Sequence, residues 1–279
     1  MSSPFNSPFN APETDLHPVR PVRPVAGYIG GKRNLARRLV GLIGTIPHQT
    51  YAEPFVGMGG IFLRRATRPK AEVINDWSGD VSTFFRVLQH HYAAFLDMCR
   101  FQITSRANFQ KLVALDPSSL TDLQRSARFL YLQRLAFGGK VAGRTFGVSP
   151  SDPGRFDITK LGTMLEALHE RLAGVVIEQL HWSDFLRRYD RPGTLFYLDP
   201  PYWGSESDYG KDMFGREEFT RMATILGDLK GRFILSLNDC PEVRETFAEF
   251  STTPLQTTYQ VGGMDKAKQV GELIIQGGG

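Results

Sequence analysis

Strand-like and helix-like patterns alternate at both ends of this chain and stop alternating in its middle, and that interruption constrains the fold more than any other feature. Thr50 to Phe55 reads as a short strand, followed by a glycine turn at Gly57-Met58-Gly59-Gly60 and a helix starting near Ile61. Val73-Ile74 makes a second strand, ended by Asn75-Asp76, and Asp80 to His90 returns to helical spacing. Strand, loop, helix, strand is the opening of a βαβ unit. From Tyr92 to Leu172 the period is mostly helical, clearest over Ser126 to Leu135. Phe137 to Asp157, rich in glycine, serine and basic residues, predicts a long irregular loop, and such loops inside compact domains are functional or disordered. Alternation resumes with strands at Val175–Leu180 and Leu195–Leu198, a helix over Glu217–Leu229 and a strand over Arg232–Leu237. A short helix near Glu242–Phe247 and a strand at Leu273–Gln276 complete the pattern. The expectation is an α/β fold in which one Rossmann-like sheet, residues 26–91 and 175–279, is interrupted by a mainly helical insertion, residues 92–174. A length of 279 residues and 31.3 kDa suits that arrangement, or two modest domains.

Residues 1–25 carry six of the 17 prolines and a Pro-Val-Arg repeat, which predicts an extended, mobile arm. Past it, Leu35, Leu39, Leu42 and Ile43 share one helical face and Arg37 and Arg38 the other, so Tyr28-Ile29-Gly30-Gly31-Lys32 opens a helix. Between Leu16 and Ala52 there is no acid, while Arg20, Arg23, Lys32, Arg33, Arg37 and Arg38 are basic. Such a strip attracts polyanions such as nucleic acid, or is a solvated face that keeps the chain soluble. Cys99 and Cys240 form no metal or disulfide pattern, and the six histidines lack metal-ligand spacing, so no metal is expected. No apolar run approaches the ~20 residues of a membrane span, and the N-terminus lacks a signal core. A cytoplasmic protein is expected.

The stretch richest in chemistry is Asp199-Pro200-Pro201-Tyr202, directly after the apolar run Leu195-Phe196-Tyr197-Leu198. A carboxylate, two rigid imino acids and an aromatic ring at a strand's carboxyl end suit gripping a flat molecule by its amino group. The plainer reading is a turn that ends the strand. Glu53-Pro54-Phe55-Val56-Gly57-Met58-Gly59-Gly60 lets a ligand approach the backbone but lacks the G-x-G-x-x-G spacing of a nicotinamide enzyme. Asp76, ending the next strand, suits ribose hydroxyls, or else caps a turn. A glycine turn, a ribose acid and no phosphate-binding lysine in the loop suggest a nucleoside cofactor without phosphates, which S-adenosylmethionine satisfies.

In this order the motifs resemble those of the Dam-type (D12 class) DNA adenine-N6 methyltransferases, from about Ala26 to Ile275. Tyr28 to Lys32 is similar to the family's N-terminal cofactor motif, Glu53 to Gly60 to its glycine motif and Ile74-Asn75-Asp76 to its ribose motif. Ser183-Asp184-Phe185 resembles the segment recognising the cofactor adenine. The resemblance implies S-adenosylmethionine contacts from Tyr28, Gly31, Lys32, Glu53, Phe55 and Gly57, and from Gly59, Asp76, Asp184, Phe185 and Asp199. It makes Asp199, Pro200, Pro201 and Tyr202 the catalytic tetrapeptide and the insertion a target-recognition subdomain for DNA, duplex or single-stranded. Phe129 to Arg134 with Phe137-Gly138-Gly139 resembles the DNA-facing helix and loop, although relatives carry Tyr-Asn-Gly there and Asn in place of Gln133. Lys140 and Arg144 are then expected to clamp phosphates, and Arg134 either does the same or buttresses the helix. Ser236-Leu237-Asn238-Asp239 and Val270-Gly271-Glu272-Leu273 resemble the family's late motifs.

The implied chemistry needs neither metal nor covalent enzyme intermediate. Asp199 and the Pro200 carbonyl would accept the two amino hydrogens of adenine, and Tyr202 would stack on the extruded base. Methylation at cytosine N4, methylation of adenine in RNA, and a DNA-binding relative without activity are the alternatives to be distinguished.

Overall fold

All five side chains of Thr194–Leu198 are buried, the mark of a strand covered on both faces. The computed structural model describes residues 16–147, 151, 153–205, 214–260 and 267–279. From the N-terminus run β1 (His17–Pro18), α1 (Ala36–Thr45), β2 (Thr50–Glu53), β3 (Thr67–Arg68), β4 (Ala71–Asn75) and α2 (Gly79–His90). The helices α3 (Tyr92–Cys99), α4 (Arg106–Ala114), α5 (Asp122–Leu135) and α6 (Ile158–Arg171) follow. Then come β5 (Val176–Glu178), α7 (Trp182–Tyr189), β6 (Thr194–Leu198), α8 (Glu217–Gly227) and β7 (Arg232–Asn238). The chain closes with α9 (Pro241–Thr246), β8 (Ser251–Gln260) and β9 (Ala267–Gly278).

Seven strands form the main sheet in the order β5-β4-β2-β6-β7-β9-β8. The first five are parallel, and β9 runs antiparallel to both β7 and β8. The chain therefore winds outward from β2 to β5, then returns to the centre at β6, so β2 and β6 flank a topological switch point. Crevices at the carboxyl ends of such strands are where α/β sheets bind ligands.

Successive strand residues serve opposite faces. Tyr51, Leu195, Tyr197, Ile234 and Ile274 pack beneath α1 and α2, while Ala52, Phe196, Leu198, Phe233 and Leu235 meet α7, α8 and α9. Leu39 and Ile43 of α1 are buried as the period required, with Arg37 and Arg38 in solvent. A capping box between Thr121 and Gln124 starts α5. The insertion adds no separate core. Phe84 of α2 meets Phe95 of α3 and Phe129 of α5, with ring centroids 6.0 and 5.7 Å apart, so its helices extend the first face of the sheet.

Three sequence expectations change. Residues 17–25 do not form a mobile arm: Val22 and Val25 are buried, and the Val19 and Val22 amides donate to Ala66 and Leu63 carbonyls at 2.9 and 2.7 Å. The repeat has a period of three, so Val19, Val22 and Val25 turn inward while Arg20 and Arg23 turn out. Residues 1–15 of the expected arm lie outside the described residues. The helix expected from Ile61 is a single 3-10 turn, Phe62–Arg64, because Arg65 turns into extended backbone and enters the core. β8 was unforeseen, being an edge strand with Pro254 and few apolar residues. The Phe137–Asp157 segment is irregular as expected where it is described, with a bridge between Ala136 and Phe146.

Arg65 enters the core to reach Glu72 of β4 at 2.9 Å, and Arg171, ending α6, grips the same carboxylate with two bonds of 2.7 Å. All three side chains are buried. Removing the acid strands two guanidiniums without a counter-charge, which costs far more than an exposed ion pair is worth. Glu72→Ala is expected to lower the unfolding free energy by about 3–5 kcal/mol, measured by urea denaturation.

Candidate active site

Three carboxylates converge where the central strands end. β2 ends in Glu53, β4 is followed by Asp76, and β6 is followed by Asp199. Register brings them together, since Glu53 lies beside Ile74 and Ala52 beside Phe196. Asn75 locks the strand ends. Its buried amide donates to the carbonyls of Pro54 at 2.9 Å and Leu180 at 3.1 Å, and its oxygen accepts from the Leu180 amide at 2.8 Å.

These ends wall a cavity of about 750 Å³, within the range of small-molecule sites. The segment from Tyr28 to Lys32 forms one side, Glu53 to Met58 the floor, and Asp76, Trp77, Asp199, Pro201 and Phe214 another side, with Arg23, Arg33, Arg64 and Arg134 also lining the cavity. Gly57 has φ of +50°, and a Cβ there would sit 3.0 Å from the Tyr28 ring, so the turn needs glycine. Its amide donates to Asp76 Oδ2 at 2.9 Å, and the Ser78 amide donates to Oδ1 at 2.9 Å, which presents the carboxylate to the cavity. Trp77, half exposed, packs edge-on to His181 at 5.6 Å.

Burial raises all three acids. It pushes Glu53 up to about 8, against the pull of a 2.7 Å hydrogen bond from the Tyr51 hydroxyl. Burial likewise holds Asp76 near 6 against its two backbone donors, and Asp199 near 6 against the charge of Lys32. Carboxyls held this high favour a cationic ligand, whose charge offsets the burial cost of ionising them.

Asp199 itself is fastened at one oxygen. The Lys32 ammonium, 1% exposed, lies 2.5 Å from Oδ1, and the Ser236 hydroxyl donates to the same atom at 3.3 Å. Lys32 also donates to the Tyr202 hydroxyl at 2.6 Å, and that hydroxyl donates to Glu272. Asn238 pins the chain beyond the tetrapeptide, accepting from the Trp203 amide at 2.9 Å and donating to its carbonyl at 3.1 Å. The two late motifs of β7 and β9 thus act by holding Asp199, Tyr202 and Trp203.

Of the expected cofactor residues, Tyr28, Gly31, Lys32, Glu53, Phe55, Gly57, Asp76 and Asp199 line the cavity. Gly59 lies within the glycine turn, φ +76°, but does not line it. Asp184 and Phe185 do not reach it. Helix α7 buries Trp182, Phe185 and Leu186 against the sheet, which turns Asp184 to solvent, where it pairs with Arg187 at 2.8 Å. Tyr202 is held by its hydroxyl behind the cavity wall, and Pro201 and Phe214 form the apolar wall. Asn75 lay inside the Ile74-Asn75-Asp76 motif with no role of its own assigned, and Trp77 and Phe214 carried no sequence signal.

On the insertion, Phe137, Gly138 and Lys140 are exposed. Arg134 lines the cavity and is bonded as a buttress: its guanidinium donates to the Arg155 carbonyl at 3.0 and 2.5 Å and to the Val25 carbonyl at 2.8 Å. Arg144 is likewise committed, donating to the Lys140 carbonyl at 3.2 Å and to the Gln133 side chain at 3.3 Å. Among the described residues no cluster of histidine, cysteine or acidic side chains is placed to hold a metal ion, and no helix is long and apolar enough to cross a membrane.

Fold and site together define an α/β protein with a nucleoside-sized, cation-favouring cavity at its switch point. Residues 28–261 match the family model of D12 class N6 adenine-specific DNA methyltransferases, and the chain belongs to that family. It is 21% identical over 241 residues to the Type II methyltransferase M.CviBI of Paramecium bursaria Chlorella virus NC1A, covering 86% of this chain and 92% of that one. The Type II methyltransferase M1.LlaDCHI of Lactococcus lactis subsp. cremoris is 23% identical over 273 residues, covering 91% and 95%. The DNA N-6-adenine-methyltransferase of Escherichia phage P1 is 25% identical over 219 residues, 73% of this chain and 28% of the phage protein. The protein is a DNA adenine-N6 methyltransferase.

Lys32 counteracts the burial of Asp199, so removing its charge must raise that carboxyl further above 6. The Asp199 carboxyl is expected to titrate about one unit or more higher in Lys32→Met, in proportion to the lost charge; carboxyl shifts followed by NMR from about pH 4 to 9 check this.

Proposed function

We propose that the switch-point cavity binds S-adenosylmethionine, and that Asp199 with the Pro200 carbonyl receives the amino group of an adenine extruded from DNA. The observation that carries this reading is the asymmetry of Asp199: Oδ1 is occupied by Lys32 and Ser236, which leaves Oδ2 to accept from a ligand in the cavity it lines.

S-adenosylmethionine supplies a methyl group already activated on a sulfonium, so the protein's work is alignment and a preorganised polar surround. Its net positive charge fits the three raised carboxyls. Glu53 suits the ammonium group, Asp76 the ribose hydroxyls and Trp77 a face of the purine. The α7 N-terminus, carrying Asp184 and Phe185, adjoins that end of the cavity through the His181–Trp77 contact.

The adenine amino nitrogen is a poor nucleophile because its lone pair is delocalised into the ring. Acceptance of one hydrogen by Asp199 Oδ2 and of the other by the Pro200 carbonyl draws that pair out of conjugation toward the methyl carbon. With the sulfonium keeping the C–S electron pair as its methyl carbon passes to the amino nitrogen, Asp199 Oδ2 would take up the surplus amino proton. Extrusion costs ~a few kcal/mol, less for single-stranded substrate. Phe137, Gly138 and Lys140 are the exposed insertion residues suited to face the DNA left behind.

Asp199→Ala is expected to reduce methyl transfer on the order of 10²–10³-fold or more, with DNA affinity retained; methylation assays and fluorescence anisotropy measure the two. Retained activity would remove Asp199 from the chemistry. Glu53 is protonated below about 8 in the free protein, and an ammonium partner favours its ionised form. One proton therefore leaves on binding, and cofactor affinity is expected to rise from pH 6 toward 8, by about tenfold per unit at most. Calorimetric titration across that range tests this, and Glu53→Gln should flatten the dependence.

A further inference from the structure

We propose that Arg23, Arg33 and Arg64 form a seat at the mouth of the cavity for a phosphate of the DNA strand that delivers the adenine. The inference rests on the reading of the cavity given above and extends it to the partner's backbone.

All three side chains line the cavity that Glu53, Asp76 and Asp199 line. They differ in depth. Arg23 and Arg33 are exposed and Arg64 is half-buried, whereas Glu53 and Lys32 are buried at the floor. The cavity is thus acidic within and basic at its rim. Arg64 is set in place by a 2.5 Å bond to the Gly60 carbonyl. Its guanidinium is pulled below the usual arginine range first by burial and then by the charges of Arg33 and Arg23, so the three cations share one neighbourhood. No described acidic side chain pairs with any of them, and the sequence holds no acid from Leu16 to Ala52. Like charges gathered without a counter-charge oppose folding and favour an anion that neutralises them.

Two further observations point to a nucleic-acid phosphate over a small anion. The basic surface continues beyond the rim, since the three-residue repeat turns Arg20 outward with Arg23, and α1 exposes Arg37 and Arg38. A single small carboxylate would engage one guanidinium, whereas a strip of six arginines matches a repeating polyanion. Moreover, Arg134 and Arg144 of the insertion are committed to carbonyl and amide groups of the protein, so of the three cations expected to clamp phosphates only Lys140 stands uncommitted on the insertion and the rim arginines add what it lacks.

The test is DNA binding as a function of salt, by fluorescence anisotropy on an adenine-containing duplex, for the wild type and for Arg23→Gln/Arg33→Gln and Arg64→Gln. Two of the three positions are exposed, so the double variant has no buried contact to lose. Each phosphate contact removed should reduce the slope of log K against log salt by about 0.9. The expected result is a slope shallower by about one to two in the double variant and by about one in Arg64→Gln, with the KM for S-adenosylmethionine within about twofold of wild type. An unchanged slope overturns the seat. A raised KM for S-adenosylmethionine with an unchanged slope overturns it in favour of the cofactor's own carboxylate. A wild type that binds neither duplex nor single-stranded DNA would instead sink the reading of the cavity on which the seat depends.

Discussion

One buried ammonium joins the parts of this protein that chemistry requires to be together. Lys32 comes from the segment before α1, Asp199 and Tyr202 from beyond β6, and Glu272 from β9, so the contacts that join these segments span 70 to 240 residues of sequence. A lysine that is 1% exposed needs compensating partners. It has Asp199 at 2.5 Å and Glu272 at 4.0 Å. Burying it therefore requires the N-terminal segment, the tetrapeptide and the last strand to assemble in one geometry. When both acids are ionised the cluster holds one more negative charge than positive, which leaves it suited to a cationic visitor.

A second buried chain ties the insertion to the same cavity. Arg171 at the end of α6 holds Glu72, Glu72 holds Arg65, and the Arg65 guanidinium lies 3.7 Å from the Tyr51 ring centroid. Tyr51 in turn donates to Glu53. Glu72 carries two cations, so this chain has a positive excess opposite the negative excess of the Lys32 cluster. Cation–π contact with Tyr51 and with Phe62, 4.1 Å from Arg171, absorbs part of that excess in a place where water cannot. The orientation of Glu53 is thereby linked to the helix that closes the insertion, which explains how a helical subdomain and a sheet can share one core.

The sheet was readable because its strands are buried on both faces and write themselves as short apolar runs bounded by the motifs. The ends of those runs, Glu53, Asp76 and Asp199, were readable for the same reason: a polar residue after a fully buried strand has few roles other than capping or binding. What escaped was set by partners distant in sequence. The valine repeat looks extended in isolation and packs only because Leu63 and Ala66 offer carbonyls to it. Arg134 and Arg144 have the composition of phosphate ligands, yet their partners, Val25, Arg155 and Gln133, could not be inferred from spacing. Asp184 lay in a recognisable motif, but its direction depends on which face of α7 meets the sheet.

Gln133 illustrates how a departure from the family pattern becomes structure. Its buried amide donates to the Gly27 carbonyl at 2.8 Å and to the Gly139 carbonyl at 2.6 Å, and the Ile29 amide also donates to Gly139 at 3.1 Å. The Phe137–Gly139 turn therefore rests on the segment that walls the cavity. A Cβ on Gly139, where φ is +67°, would come within 3.0 Å of the Gly27 backbone, so the approach depends on glycine at that point. The extra methylene of Gln over Asn gives the amide the reach to span both carbonyls. With Gly138 open to solvent and Gly139 fixed, the turn exposes the Phe137 side chain and the Gly138 backbone. These three hydrogen bonds and the Arg171 chain both run from the insertion to the same cavity.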